Sequence, residues 1–183
     1  MKLFFISDIH GSSHYMKLAM RRFEKEQASH IIMLGDALYH GPRNPLPEGY
    51  DSKETAQLLN EYAPVMIAVK GNCDSEVDQM LIEYPMLNEQ SFVLYNDRRI
   101  FLSHGHKHNP DNLPSLNKGD AFAFGHIHIP VAESKNGIYI LNPGSISLPK
   151  EGNPNTYAVL EDERFIIKDL EGNTFKELRM INS

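Results

Sequence analysis

Leu3-Phe4-Phe5-Ile6-Ser7-Asp8-Ile9-His10 runs from four consecutive apolar residues straight into an aspartate and a histidine. A short, unbroken apolar run is the pattern of a strand buried on both faces, as in a parallel sheet covered by helices. Residues 2–7 are read as that strand. The opening briefly imitates a secretory leader, but Asp8 and His10 arrive too early for an h-region and no small-residue cleavage site follows. Downstream, Ser12-Ser13 offers a helix N-cap, and Met16, Met20 and Phe23 recur at helical spacing opposite Lys17, Arg21, Arg22, Glu24 and Lys25. Residues 31–34 form the next strand. Asp51-Ser52-Lys53-Glu54 reads as a capping box that opens a helix through Leu58, Leu59 and Tyr62, ended by Pro64. Residues 65–69 give a third strand and 75–82 a further helix. This β-α-β-α-β-α order implies parallel strands with crossover helices.

The second half changes rhythm. Residues 91–95 and 98–103 flank Asn96-Asp97, and residues 130–134 and 138–141 flank Lys135-Asn136-Gly137, two hairpin signals. Residues 156–160 and 165–170 flank another polar turn, so this half reads as mostly antiparallel. Two loops stand out: 40–50, with three prolines, and 108–119, with two. Long loops inside a compact unit are usually functional. The 183 residues, 41% hydrophobic and 23% charged, suit a single domain over 1–183 with its own core. A lone cysteine, Cys73, excludes an internal disulfide, and cytoplasmic residence is the default expectation. No apolar stretch is long enough for a membrane span. A net charge of −6 without a basic stripe argues against a nucleic-acid polymer as partner.

Nine histidines in such a chain need a reason. Strand one ends in Asp8-Ile9-His10, strand two in Gly35-Asp36, and strand three in Gly71-Asn72-Cys73-Asp74. The antiparallel half adds His104-Gly105-His106 after residues 98–103, and Gly125-His126-Ile127-His128 after the apolar run 121–124. In an open α/β sheet, ligands bind beyond the carboxyl ends of the strands, so the first three groups are expected to point into one crevice. Each signal alone has a bland explanation: a solvated Asp-x-His loop, a Gly-Asp turn, or a hydrogen-bonded core histidine. The bland explanation has to hold five times, each time directly after a β run.

The order and spacing of these motifs resemble the calcineurin-like metallophosphoesterases, from Asp8 through Asn142-Pro143-Gly144-Ser145. The segments 40–50 and 71–80 resemble the small prokaryotic YfcE-type phosphodiesterase branch in particular. The resemblance implies a four-layer α/β/β/α sandwich. It implies two divalent metal ions, one held by Asp8, His10, Asp36 and His128, the other by Asp36, Asn72, His104 and His126, with Asp36 bridging. Carboxylate, imidazole and amide donors suit harder or borderline ions. Manganese is the first expectation, with iron, nickel, cobalt or zinc as alternatives. A metal-activated water would then attack a phosphate ester, with no protein nucleophile. Asp36, Asn72, Cys73 and His104 are the candidate catalytic residues.

The expected activity is that of a phosphodiesterase on a small phosphate ester. A phosphomonoesterase (nucleotidase or protein phosphatase) is the alternative within the class, and a non-catalytic scaffold the alternative outside it. Many members of the family carry histidine where this chain has Cys73. A thiol is a poor proton donor to an alkoxide, so Cys73 is expected to favour esters whose leaving group needs little protonation. Asp74 is expected to hydrogen-bond a ligand histidine rather than bind metal. His106, His40 and Arg43 are left between substrate contact and plain surface. His14, His30 and His108 are assigned to a helix surface, a strand start and a loop. A homo-oligomer is compatible with the sequence, though no segment specifies an interface.

Overall fold

The N-terminal apolar run forms β1 (Leu3–Ile6), with every residue buried, inside a six-stranded sheet. The structure is a computed structural model and describes residues 1–181. In α1 (Ser13–Glu26), Ser12 Oγ caps the helix by accepting from the Tyr15 amide at 3.2 Å, and Met16 and Met20 are buried. β2 (His30–Met33) lies parallel to β1. α2 (Ser52–Glu61) is capped by Asp51 Oδ1, which accepts from the Glu54 amide at 2.9 Å. Pro64 does not stop this helix, which has already ended. It sits in a 3-10 turn, Ala63–Val65, that leads into β3 (Met66–Ala68), parallel to β2.

The helix expected over 75–82 is a single turn, α3 (Glu76–Gln79), opened by a capping box between Ser75 and Asp78. It goes no further because Gln79 folds back: Nε2 donates to the carbonyls of Ile82 and Tyr84, and Oε1 accepts from the Met86 amide. These side-chain bonds take over carbonyl and amide groups that a longer helix would have used.

Both expected hairpins form in the second half: β4 (Gln90–Tyr95) with β5 (Arg98–Ser103), then, after β6 (Ala121–Ala123), β7 (Pro130–Lys135) with β8 (Ile138–Pro143). β6 is parallel to both β5 and β8, giving a five-stranded sheet in the order β4-β5-β6-β8-β7. The chain then returns to the first sheet through β9 (Thr156–Glu161), β10 (Arg164–Asp169) and β11 (Thr174–Arg179), in the order β11-β10-β9-β1-β2-β3. β11 has no counterpart in the sequence reading. Its side chains are almost all exposed and include Lys176, Glu177 and Arg179, so no apolar alternation marks it; backbone pairing to β10 holds it.

Alternation along β1 sets the layers. Phe4 and Ile6 pack on the helices with Met16, Met20 and Leu59. Leu3 and Phe5 face the other way, into a core shared by both sheets with Ile100, Leu102 and Leu141. Phe122, Phe124 and Ile140 lie on the outer face of the second sheet, where the irregular segment after β5 supplies Leu113 and Leu116 as cover. The fold is therefore a two-sheet α/β sandwich whose helices gather on the first sheet. No helix among the described residues is long and apolar enough to cross a membrane.

Glu26 ties these elements together at the C-terminal end of α1, where the helix dipole disfavours a carboxylate. Its oxygens accept from Lys2 at 3.0 Å, Lys168 at 2.6 Å and the Tyr157 hydroxyl at 2.9 Å. Burial opposes the charge, but these three hydrogen bonds outweigh it and hold the carboxyl below its ordinary value of 4.5. The stabilisation is therefore complete above pH 4.5 and is lost as pH falls through the lower folded value. Glu26→Gln is expected to cost about 1–3 kcal/mol at neutral pH. The gap from wild type should close as urea unfolding is repeated below pH 4.5; a gap that stays constant into acid would refute the ionic account.

Candidate metal centre

The strand ends behave as the sequence pattern suggests. Beyond β1 and β2 the ladder continues through the loops: the Asp8 amide donates to the Gly35 carbonyl, His10 to Asp36, and Gly11 to Ala37. Asp8, His10, Asp36, His126 and His128 all have positive φ, between 49° and 67°. Left-handed backbone costs non-glycine residues energy, though Asp, Asn and His tolerate it better than most. It turns each of these side chains back towards one point. Two glycines make the close approach feasible. A Cβ on Gly71 would collide with the Asp36 backbone and carboxylate, and one on Gly125 with Ser7 Oγ and Asp8.

At that point Asp8 Oδ1 is fully buried and has no hydrogen-bond partner among the described residues, while Oδ2 accepts from Ser7 Oγ at 2.6 Å and the His126 amide at 3.0 Å. Around Oδ1 stand His128 Nε2 at 3.3 Å, His10 Nε2 at 3.8 Å and His104 Nε2 at 4.0 Å. Asp36 is arranged in the same way. Its Oδ1 accepts from the Cys73 amide at 2.8 Å, and its Oδ2 lies 3.3 Å from His104 Nε2 and 3.6 Å from His10 Nε2. Asn72 Oδ1 is 3.0 Å from His104 Nε2. In each of these three histidines Nδ1 is engaged by a backbone carbonyl, Tyr39 for His10, Leu34 for His104 and Leu148 for His128, at 2.6–2.8 Å. A carbonyl can only accept, so Nδ1 carries a proton, and in the neutral ring Nε2 presents its lone pair inward. His10 and His128 direct these lone pairs at each other across 3.2 Å. Converging lone pairs beside buried carboxylates repel unless a cation or proton lies between them, so this donor set fits a divalent metal.

The electrostatics agree. Burial favours the neutral Asp8 and Asp36 carboxyls, yet His128, His104 and His10 around Asp8, and His104 at Asp36, hold both below the usual carboxylate range. Burial also opposes charge on His104, but Asp36 and Asp8 overcome it and lift the ring to about 9. The centre demands positive charge and takes it from a proton when nothing else supplies it.

Among the described residues, three groups of candidate ligand atoms fall within 4.8 Å of one another: Asp8 with His10 and His128, Asp8 with Asp36 and His104, and His10 with Asp36 and Cys73. Asn72 joins the second through His104. His126 is in none of them; its ring packs against His104, with centroids 5.1 Å apart, and it lines the same cavity as Asn72 and His128. Cys73 Sγ is close to ligand atoms of His10 and Asp36. Burial and Asp36 push its thiol up to about 12.

Asp74 bonds to no histidine. Its carboxylate accepts from the amides of Asp36, Ala37 and Gly71 at 2.7–2.9 Å, pinning the second and third strand-end loops together. His10, His104 and His128 are steadied by carbonyls instead. His106 packs beside His104 with centroids 5.5 Å apart, and His40 lies between Tyr39 and Tyr50. His14 is exposed on α1, His30 opens β2, and His108 lies in a loop. Several supports carry no sequence signal of their own. Ser7 holds Asp8 Oδ2, and Ser145 and Ser147 donate to the Asp8 carbonyl at 2.8 and 3.0 Å. Within the Asn142-Pro143-Gly144-Ser145 turn, Asn142 Nδ2 also donates to the Gly125 carbonyl at 2.8 Å.

Residues 1–164 match the calcineurin-like phosphoesterase superfamily domain. The chain belongs to that superfamily. Phosphodiesterase YfcE of Escherichia coli strain K12 is 50% identical over 163 residues, 89% of each chain. The solved structure of Yfce, a phosphoesterase from E. coli, is similar at a TM-score of 0.97 and 44% identity, covering 99% of this chain and 100% of that one. Probable metallophosphoesterase YsnB of Bacillus subtilis strain 168 is 28% identical over 191 residues, 98% of this chain and 97% of its own.

For this calcineurin-like phosphoesterase, Asp74→Asn replaces an acceptor of three amides with a group that has one acceptor and two extra donors. It is expected to destabilise the protein by about 2–3 kcal/mol. Urea unfolding in chelator measures this without contribution from bound metal, and an unchanged midpoint would remove Asp74 from the framework of the site.

Proposed function

We propose that this chain is a metal-dependent phosphodiesterase, hydrolysing a phosphate ester bond at a dinuclear centre. Asp8, His10, Asp36 and His128 would hold one ion, and Asp36, Asn72, His104 and His126 the other. The observation that carries the reading is Asp8 Oδ1, buried and without a hydrogen-bond partner among inward-facing imidazoles. Asp36 Oδ2, within 3.6 Å of both His10 and His104, supports it as the bridge. Oxygen and nitrogen donors without a required thiolate favour manganese, and iron, nickel, cobalt or zinc suit the same set. When bound, such ions neutralise phosphate oxygens and acidify water.

The chain's own contribution is preorganisation. Backbone carbonyls fix the histidine tautomers, and amides fix one oxygen of each carboxylate, so little reorganisation is left for the reaction. Cys73 lines the cavity beside Asn72. With its proton held tightly it protonates a departing alkoxide poorly, which favours esters with acidic leaving groups.

Chelator-stripped protein is expected to hydrolyse bis(p-nitrophenyl) phosphate only after Mn²⁺ is restored. Asp36→Asn should lower that rate by at least about 100-fold, the most that loss of a supporting partner usually costs. Hydrolysis of p-nitrophenyl phosphate alone would move the assignment to a phosphomonoesterase, and no metal binding at all would favour the scaffold. Cys73→His is expected to speed diesters with alkyl leaving groups more than those with nitrophenyl; equal effects would remove Cys73 from leaving-group chemistry.

A further inference from the structure

Two adjoining cavities, of about 360 and 630 Å³, lie at the proposed centre, the smaller lined by Asp36, His126 and His128 and the larger reaching it through Asn72. They share a neck formed by Pro42, Arg43, Asn72 and Cys73. A tetrahedral phosphorus held at that neck has room for a substituent in each direction, whereas a monoester would fill only one. The walls of the two cavities differ in chemistry.

The smaller cavity carries Arg43 and Lys150, and neither makes an ion pair among the described residues. Its one carboxylate, Asp36, is already committed to the Cys73 amide and the histidines. In a chain of net charge −6, two cations face one space with no acid left to answer them. The larger cavity has acids, but they are used internally: Asp74 accepts three amides, and Asp78 accepts from the Ser75 amide and hydroxyl at 2.7 and 2.8 Å. Beyond the shared Arg43, Asn72 and Cys73, what it offers a ligand is Tyr39, 42% exposed, Val77, 68% exposed, and the Pro42 ring.

We propose that the substrate is an unsymmetrical phosphodiester. One arm carries a further anionic group, held by Arg43 and Lys150. The other arm is uncharged and flat or apolar, and lies against Tyr39, Pro42 and Val77. The inference rests on the phosphodiesterase reading and adds the substrate class. Arg43 stands at the neck, where a guanidinium can also face the phosphoryl oxygens with the paired geometry that suits them. Lys150 follows the strand-end turn that supplies the Leu148 carbonyl to His128, so the anion site and the centre share one backbone segment.

The test uses two p-nitrophenyl phosphodiesters whose second arms are 2-carboxyethyl and 2-carbamoylethyl, nearly equal in shape and different in charge. With Mn²⁺-loaded protein, kcat/KM is expected to favour the carboxylate by about tenfold at low salt, the worth of one charged hydrogen bond. That ratio should shrink as salt screens the contact. It should fall towards one in Arg43→Gln and Lys150→Gln, and be retained in Lys150→Arg. Calorimetry of the matching non-hydrolysable phosphonates on chelator-treated protein reads the same preference without turnover. There, replacing the aryl arm by methyl should weaken binding to wild type more than to Val77→Ser. A ratio near one that no substitution moves, in both rate and binding, overturns the charged-arm assignment while leaving the phosphodiesterase reading intact. Failure to hydrolyse either ester with any metal overturns the phosphodiesterase reading and with it the substrate class; a carboxylate preference surviving in the phosphonate binding would then show that the anion site alone stands.

Discussion

A carboxylate that is wholly removed from water has to be answered by charge, and Asp8 imposes that demand on the rest of the molecule. One oxygen is met by hydrogen bonds, from the adjacent Ser7 and from the distant His126 amide, and the backbone around Asp8 is clamped by Gly35, Ser145 and Ser147. The other oxygen faces the imidazoles of His104 and His128, which follow strands of the second sheet. The two sheets therefore meet at an electrostatic necessity as well as at an apolar core. This is why the strand ends are rigid. They are joined by the amide ladder from Asp8 to Gly11 and by Asp74 with its three amides.

Such a centre stores unfavourable terms that the core offsets. Left-handed backbone at Asp8, His10, Asp36, His126 and His128 and opposed imidazole lone pairs each raise the energy of the folded state. Against them stand two apolar layers, one on either face of β1, in which Phe4, Phe5 and Ile6 are wholly buried. The division of labour along the opening segment is plain: Leu3–Ile6 and Ile9 build the core, while Asp8 and His10 adopt the costly left-handed backbone.

Much of this was legible in the sequence because the chemistry and the topology punctuate each other. Asp8, Asp36 and Asn72 follow apolar runs, and strand ends in a parallel sheet share a side, so convergence needed no coordinates. The hairpins were equally clear from Asn96-Asp97 and Asn136-Gly137. Legibility failed where long-range contacts decide. β11 is polar on nearly every side chain and exists through pairing with β10. The α3 turn stops because Gln79 bonds to groups beyond it, a choice that helical periodicity does not encode. The partners of His10, His104 and His128 are carbonyls of Tyr39, Leu34 and Leu148, and a carbonyl leaves no trace in residue identity. For the same reason Asp74, which looks like a partner for imidazole, turns out to hold amides.

The left-handed loops also bear on how such a chain can change over time. Aspartate, asparagine and histidine are the side chains that best tolerate that backbone, and they are also the ones a hard or borderline cation accepts. The two requirements select the same short alphabet at Asp8, His10, Asp36, His126 and His128. Glycine satisfies the first requirement and not the second. A lineage could therefore discard the chemistry through glycine at these positions while the loops kept their path and the sandwich its shape. In this architecture the capacity to hold metal is separable from the capacity to fold, and the scaffold can outlive its reaction.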